Sequence, residues 1–156
     1  MRVRRLLFLL AFGFAGCHEP TAPDVSLLVG AWTTSPSVSR FDGSTSALTL
    51  SFRSDGTYQR TWRMQDASGA PRSYAATEGT FAVRGDSIFM RATLARAWDR
   101  DFNGGAVTTT LIEAQSVDGG ARFELQGQNL TLHFLSYPAD AAVETTEVFA
   151  RMWLAS

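Results

Sequence analysis

The sequence predicts an all-β protein, folded as an antiparallel up-and-down β-barrel of about 8–10 strands. About nine short segments alternate apolar and polar side chains, which is the period of a strand with one buried face. Gly, Asp and Asn residues separate many of these segments at spacings typical of hairpins, and no long segment carries the period of a helix. Consecutive hairpins favour closure into a barrel, because closure removes the exposed edges of the sheet.

The first half of the chain contains five of these segments. The first strand begins at Gly30 and includes Trp32, and a loop rich in Ser, Thr, Pro and Gly is predicted to follow at residues 33–46. A second polar loop is predicted at residues 65–76. The other strands are predicted at residues 47–53, 57–64, 77–84 and 87–94, with hairpin turns at residues 54–56 and 85–86.

The second half continues the pattern with one difference. A helical turn is predicted within residues 95–106, which run into an Asn-Gly-Gly turn, and another within residues 139–143. Strands are predicted at residues 107–115, 121–126 and 145–154 and around Leu130, Leu132 and Phe134, separated by turns at residues 118–120 and 127–129 and by a loop at residues 136–144.

The strand at residues 57–64 carries the candidate ligand-binding face. Tyr58, Arg60 and Trp62 share one face, and the opposite face is polar and would make a poor core. The aromatic face is therefore predicted to point inward, where Arg60 would hold a ligand carboxylate in two hydrogen bonds. The alternative is a structural Arg60 that neutralises a neighbouring Glu or extends to the barrel mouth. Phe89 and Arg91 are a second candidate pair, on a strand whose opposite face is more apolar.

Two features resemble the lipocalin-like β-barrels. Gly30-Ala31-Trp32 is similar to the Gly-x-Trp signature in that family's first strand, and Arg151 stands where the family has an arginine in its last strand. The resemblance implies that Gly30 permits a sharp bend and that Trp32 plugs the closed end. It also implies a cation–π stack of Arg151 on Trp32, worth ~0.5–2 kcal/mol. The alternative is that Arg151 is a solvated strand residue.

The first 16 residues have the pattern of a secretory signal peptide. A basic segment precedes an apolar run that is too short to span a bilayer, which requires about 20 residues. The run ends at Phe14-Ala15-Gly16-Cys17, which resembles a bacterial lipobox and implies cleavage before Cys17 and its acylation. Residues 17–24 would then be a lipidated tether and residues 25–156 the barrel domain. An ordinary cleaved signal peptide is the alternative.

Acylation of Cys17 implies a lipid anchor in the bacterial cell envelope, with the barrel facing the periplasm. His18 follows the cysteine at the position where an aspartate would favour retention in the inner membrane. The outer membrane is therefore the expected location.

Composition argues against several kinds of site. The formal net charge is -1, and removal of the arginines of the leader makes the rest more acidic, which argues against a nucleic-acid partner. One cysteine permits neither an intrachain disulfide nor a multi-thiolate metal site, and no cofactor is predicted. His133 is predicted to lie on the outer face of a strand, and no Gly-x-Ser-x-Gly elbow is present, so the chain is predicted not to be an enzyme.

The segment that begins Asp99-Arg100-Asp101-Phe102-Asn103-Gly104 partly matches a calcium loop. Asp99, Asp101 and Asn103 occupy alternating ligand positions, and the glycine follows where the loop turns sharply. The twelfth position is Thr110 in place of a bidentate Glu, and no helices flank the segment. This favours a polar loop that ends in an Asn-Gly turn over a metal site.

These observations lead to one functional prediction with a main alternative. The predicted function is binding of a small hydrophobic or amphipathic ligand in the cavity of a membrane-anchored barrel. The alternative is a filled barrel that acts as a structural or protein-interaction module of the envelope, because eight-stranded barrels of both kinds exist. An enzyme on the same scaffold is a third hypothesis, which lacks an obvious catalytic base.

Overall fold

The computed structural model describes residues 24–101, 105–111, 120–136 and 141–153, and β-strands dominate these ranges. A short 3-10 helix, Val25–Leu27, precedes the first strand, and no α-helix occurs among the described residues. None of their helices is long and apolar enough to cross a membrane. The strands are β1 Gly30–Thr33, β2 Ser37–Val38, β3 Thr45–Phe52, β4 Thr57–Gln65, β5 Pro71–Arg84, β6 Ser87–Asp99, β7 Thr108–Leu111, β8 Ala121–Gln126, β9 Asn129–Ser136 and β10 Val143–Arg151.

Eight of these strands close into an antiparallel barrel, which confirms the predicted fold class. Around the ring they follow the order β1, β3, β4, β5, β6, β8, β9, β10, and β10 returns to β1. The closing strand β1 is short: it pairs with β3 on one side and, through Trp32 and Thr33, with β10 on the other. Strand β2 pairs with the first residues of β3. Strands β7 and β8 both pair with β6, on the side away from β5.

The two ends of the barrel differ in the length of their connections. At one end, tight turns join β3 to β4, β5 to β6 and β8 to β9. The 3-10 helix and the end of β10 lie at this end as well, so we call it the closed end. The connections from β1 to β3, from β4 to β5 and from β6 to β7 lie at the opposite end, which we call the open end.

The hydrophobic core fills the closed half of the barrel. Inward-facing residues from almost every strand of the ring contribute to it, because alternate side chains of each strand point to the same face. Each large apolar side chain that is buried contributes roughly 1.5–3 kcal/mol relative to an exposed one. The largest fully buried side chains are Trp32, Tyr58, Phe52, Phe149, Leu28, Leu50, Ile88 and Leu130.

Trp32 and Arg151 connect the first and last strands of the ring. Trp32 is completely buried, and its indole N–H donates to the carbonyl oxygen of Leu28 at 2.8 Å. The Arg151 guanidinium carbon lies 4.2 Å from the centroid of the Trp32 ring. The same guanidinium donates to the carbonyl oxygens of Val29, at 3.0 Å, and of Leu27. One side chain therefore covers the closed end and also satisfies two backbone acceptors there.

A β-bulge between β5 and β6 reverses which residues of β6 face inward. The register shifts at Glu78 and Gly79, so β6 has one extra residue at this point. A Cβ at Gly79 would lie 1.9 Å from the carbonyl oxygen of Arg91, so only glycine allows the backbones to approach this closely. On the closed-end side of the bulge Ala92 pairs with Gly79, and on the open-end side Ala95 pairs with Thr77.

Three predicted boundaries are wrong. Strand β6 continues to Asp99 through residues predicted to contain a helical turn, and β5 begins at Pro71 within a predicted loop. Strand β2 also lies inside the predicted loop at residues 33–46. The alanines of β5 and β6 have low β propensity, which made this region difficult to identify as strand. The helical turn predicted within residues 139–143 falls partly outside the described residues, and Val143 begins β10.

Replacing Arg151 by methionine is expected to lower the free energy of unfolding by about 1–3 kcal/mol. The variant loses the stack on Trp32 and leaves two backbone acceptors without their donor. Urea unfolding followed by tryptophan fluorescence measures the effect. Arg63→Met is the matched control, because Arg63 is an exposed arginine on β4. Equal unfolding free energies for the two variants would contradict the structural role of Arg151.

Candidate functional site

A cavity of about 480 Å³ opens at the end of the barrel opposite Trp32. Its walls combine small, hydroxyl and charged side chains, in contrast to the aromatic core below it. Ligand pockets commonly have volumes of roughly 300–1,000 Å³, so the size fits a small molecule. The lining residues are Thr34, Ser35, Ser37, Ser46, Ala47, Leu48, Arg60, Trp62, Ala75, Thr77 and Glu147.

Strand β4 contributes the aromatic and cationic part of the wall. Tyr58, Arg60 and Trp62 pair with Phe52, Leu50 and Leu48 of β3, whose side chains belong to the core, so they share the inward face. Tyr58 is only 1% exposed and lies within the core below the cavity. Arg60 and Trp62 line the cavity itself, and Trp62 remains 38% exposed.

Glu147 faces Arg60 across the cavity and was not identified from the sequence. Its Oε1 lies 3.6 Å from Nη2 of Arg60, and the side chains are 26% and 46% exposed. Glu147 is in phase with Phe149 and Arg151 on β10, and both of these side chains point inward at the closed end. The two-residue period counted back from Arg151 would have predicted this position. Arg60 is therefore half of an ion pair and not an isolated cation.

A second cavity, of about 320 Å³, lies beside the first. Trp62 and Ala75 line both cavities, so the indole lies where the two meet. Ser73 lines the second cavity from the start of β5. It is 7% exposed, and its hydroxyl has no hydrogen-bond partner among the residues that the structure describes. A bound molecule that reaches Ser73 could satisfy this hydroxyl. Ser73 lies in a segment predicted to be a loop, so its inward position was missed.

Phe89 and Arg91 lie outside both cavities, which corrects their sequence-based placement. Their neighbours Ile88 and Met90 pair with Val83 and Phe81, which pack on the core, so Phe89 and Arg91 point outward. The Arg84 guanidinium carbon lies 5.6 Å from the ring centroid of Phe89 on this outer surface. Phe89 and Arg91 are therefore not part of the candidate site.

Arginine–aspartate pairs tie the open-end connections together. Arg72 at the start of β5 donates to Asp42 at 2.6 Å and to Asp101 at 3.1 Å. Arg100 donates to Asp66 in the β4–β5 connection at 3.0 Å. We call these five residues the rim network. It links three connections around the mouth and thereby limits their relative motion.

Serine hydroxyls beside the rim network, together with its arginines, lower the pKa values of Asp42 and Asp66. The Ser68 hydroxyl and then the Arg100 guanidinium lower the pKa of Asp66 to about 2. The pKa of Asp42 is also lowered, first by the hydroxyl of Ser44. Both carboxylates are therefore held in the charged form that the arginines bind.

The acidic residues that partly matched a calcium loop have other partners. Asp101 accepts from Arg72, and Asp99 accepts the backbone N–H of Asp101 at 2.8 Å. Two arginines beside Asp101 oppose a bound cation electrostatically. Asn103 lies outside the described residues, and those described contain no group of three or more His, Cys, Asp or Glu side chains that could hold a metal.

The remaining predicted positions lie away from the cavity. His133 pairs with Thr146 and Arg122 on the outer face of the sheet, and its Nδ1 lies 3.1 Å from the Thr146 hydroxyl. Cys17 and the leader lie outside the described residues. No protein-family model matches the chain, and no curated protein matches it.

Acidification is expected to weaken the rim network between about pH 4 and pH 2. The unfolded pKa of an aspartate is about 3.9, so a carboxylate with a lower folded pKa stabilises the fold above that pH and loses the effect as pH falls. Wild type should therefore exceed Asp66→Asn in unfolding free energy at neutral pH, and the difference should shrink toward pH 2. Urea titrations at several pH values measure this difference. A difference that does not change with pH would contradict the expected contribution of the ionised Asp66 carboxylate to stability.

Proposed function

We propose that this protein is a lipid-anchored, lipocalin-like binding protein that holds a small hydrophobic or amphipathic molecule in the open half of its barrel. The observation that carries the proposal is the contrast between the two halves. Large apolar side chains fill the closed half, whereas a cavity of about 480 Å³, lined mainly by small, hydroxyl and charged side chains, remains in the open half. A barrel that served only as a structural module would gain stability by filling that space.

The lining of the cavity suits an amphipathic molecule. Trp62 and Leu48 offer apolar surface, and aromatic rings bury a large area for few degrees of freedom. Arg60 offers several donors in a planar fork, which fixes the orientation of a polar group. Ala75, which pairs with Trp62 on the neighbouring strand β5, leaves room beside the indole.

Replacing Arg60 by methionine is expected to weaken ligand retention by about tenfold, because the polar end of the ligand loses a charge-assisted contact. The experiment is native mass spectrometry of the chain from His18 onward, purified from a bacterial host, before and after organic extraction. The wild type should release a discrete mass that the variant carries at lower occupancy. Arg63→Met, on the same strand but outside the cavity, should retain the wild-type occupancy.

Two outcomes of that experiment would count against the proposal. Equal occupancy in the Arg60 and Arg63 variants would remove Arg60 from the site. A wild-type protein without any releasable mass, which also fails to bind a fatty-acid panel, would favour the filled-barrel alternative.

The anchor is proposed from the lipobox-like segment that ends at Cys17. Buried acyl chains contribute ~0.8 kcal/mol per methylene, so more than one chain holds a protein firmly to a bilayer. Only six residues separate Cys17 from Asp24, the first residue that the structure describes. This distance would keep the barrel close to the membrane surface.

Cys17→Ser is expected to move the full-length protein from the membrane fraction to the soluble fraction of bacterial cells. The substitution removes the thiol that carries the lipid and leaves the barrel unchanged. Fractionation followed by mass spectrometry of the N-terminal peptide measures both location and modification. Wild type that carries no acyl mass would support an ordinary signal peptide instead.

A further inference from the structure

We propose that the cavity selects a zwitterionic head group, and that Glu147 is the residue that determines this specificity. This inference rests on the proposed ligand-binding function and adds the chemical class of the ligand. The ligand would be an amphipathic molecule with an anionic group and a cationic group attached to the same carbon atom, such as an α-amino acid with a long apolar side chain.

The Arg60–Glu147 ion pair joins two strands that are not neighbours in the barrel. Arg60 belongs to β4 and Glu147 to β10, and two strands, β1 and β3, separate them around the ring. Both residues line the same cavity of about 480 Å³. The pair therefore crosses the lumen, where an incoming molecule meets both charges together.

The pair is loose, so both members can accept other partners. The Nη2–Oε1 distance of 3.6 Å is longer than a hydrogen bond. The Arg60 side chain is 46% exposed and the Glu147 side chain is 26% exposed. Ion pairs with this much exposure contribute little to the stability of the fold. A ligand can therefore separate Arg60 from Glu147 with little loss of folding energy.

A singly charged head group makes one favourable and one unfavourable contact at this site. A fatty-acid carboxylate would bind the Arg60 guanidinium but would lie beside the Glu147 carboxylate, and like charges at contact repel. An alkylammonium would meet the opposite problem at Arg60. A zwitterion replaces the original ion pair with two matched contacts, because its anionic group binds Arg60 while its cationic group binds Glu147.

The apolar part of the ligand has a defined surface beside these charges. Trp62 and Leu48 line the cavity near the pair, and Trp62 also faces the second cavity of about 320 Å³. An alkyl chain that passes Trp62 would extend from one cavity into the other. The three alanines that line the second cavity, Ala75, Ala97 and Ala106, leave room for the chain.

The test uses three probes that share an octyl chain and differ in their head groups. These are nonanoate, nonylamine and α-aminodecanoic acid, each titrated by calorimetry into the delipidated chain from His18 onward. Wild type should bind the zwitterion at least about tenfold more tightly than either singly charged probe. The octyl chain is constant, and the one additional carbon of nonylamine and α-aminodecanoic acid changes affinity by roughly fourfold at most, so a tenfold preference reports the charges of the head group.

The decisive variant is Glu147→Gln, which keeps the shape of the side chain and removes its charge. Its affinity for nonanoate should rise by about tenfold, and its affinity for the zwitterion should fall. Glu144→Gln is the matched control, because Glu144 is an exposed residue on the same strand and lies outside the cavities. The control should bind all three probes like wild type, and thermal unfolding verifies that both variants fold.

The outcomes separate this inference from the function on which it rests. If wild type binds nonanoate best and Glu147→Gln leaves that affinity unchanged, the head-group inference is wrong while ligand binding stands. If folded wild type binds none of the probes, both proposals fail. Preference for the zwitterion that Glu147→Gln abolishes would support both.

Discussion

Closure of the sheet at β1 is the constraint on which the rest of the structure depends. An open sheet of eight strands would expose unpaired backbone groups along two edges, and closure pairs them. The closing strand is short and meets β10 at only Trp32 and Thr33. The Arg151 guanidinium reinforces this seam, because it stacks on Trp32 and binds two carbonyl oxygens before β1. The aromatic core then packs on the buried face of Trp32.

The closed and open halves of the barrel contain different kinds of inward-facing side chains. The closed half contains the large buried side chains, and these account for most of the hydrophobic stabilisation. In the open half the inward positions become small or polar, as at Ala75 and Thr77, and a cavity remains. The rim network restrains the surrounding connections through arginine–aspartate hydrogen bonds. The hydrophobic core and the cavity are therefore formed by largely separate sets of residues.

Much of the fold could be predicted from the alternation of apolar and polar residues and from the turn residues between strands. The inward-facing side of each individual strand could not be predicted everywhere. The inward face of β4 followed from its aromatic residues. Strand β6 was more difficult, because its extra residue at the bulge interrupts the two-residue period and resembles the end of a strand. Glu147 was missed for another reason: a charged residue on a strand is most often solvated, although the two-residue period counted back from Arg151 places Glu147 on the inward face. Pairing across the ring depends on tertiary structure and cannot be predicted from local patterns.

The chain enters and leaves the barrel at the same end. Leu27 accepts a hydrogen bond from Arg151, and the backbone N–H of Met152 donates to Ala31 at 2.8 Å, so residues before β1 and after β10 are neighbours. This arrangement suits circular permutation, since a short linker could join the two segments without crossing the mouth. New termini in the exposed turn at residues 66–70 would leave the order of strands around the ring unchanged. The same barrel could thus be displayed with its mouth, and not its closed end, next to a fusion partner.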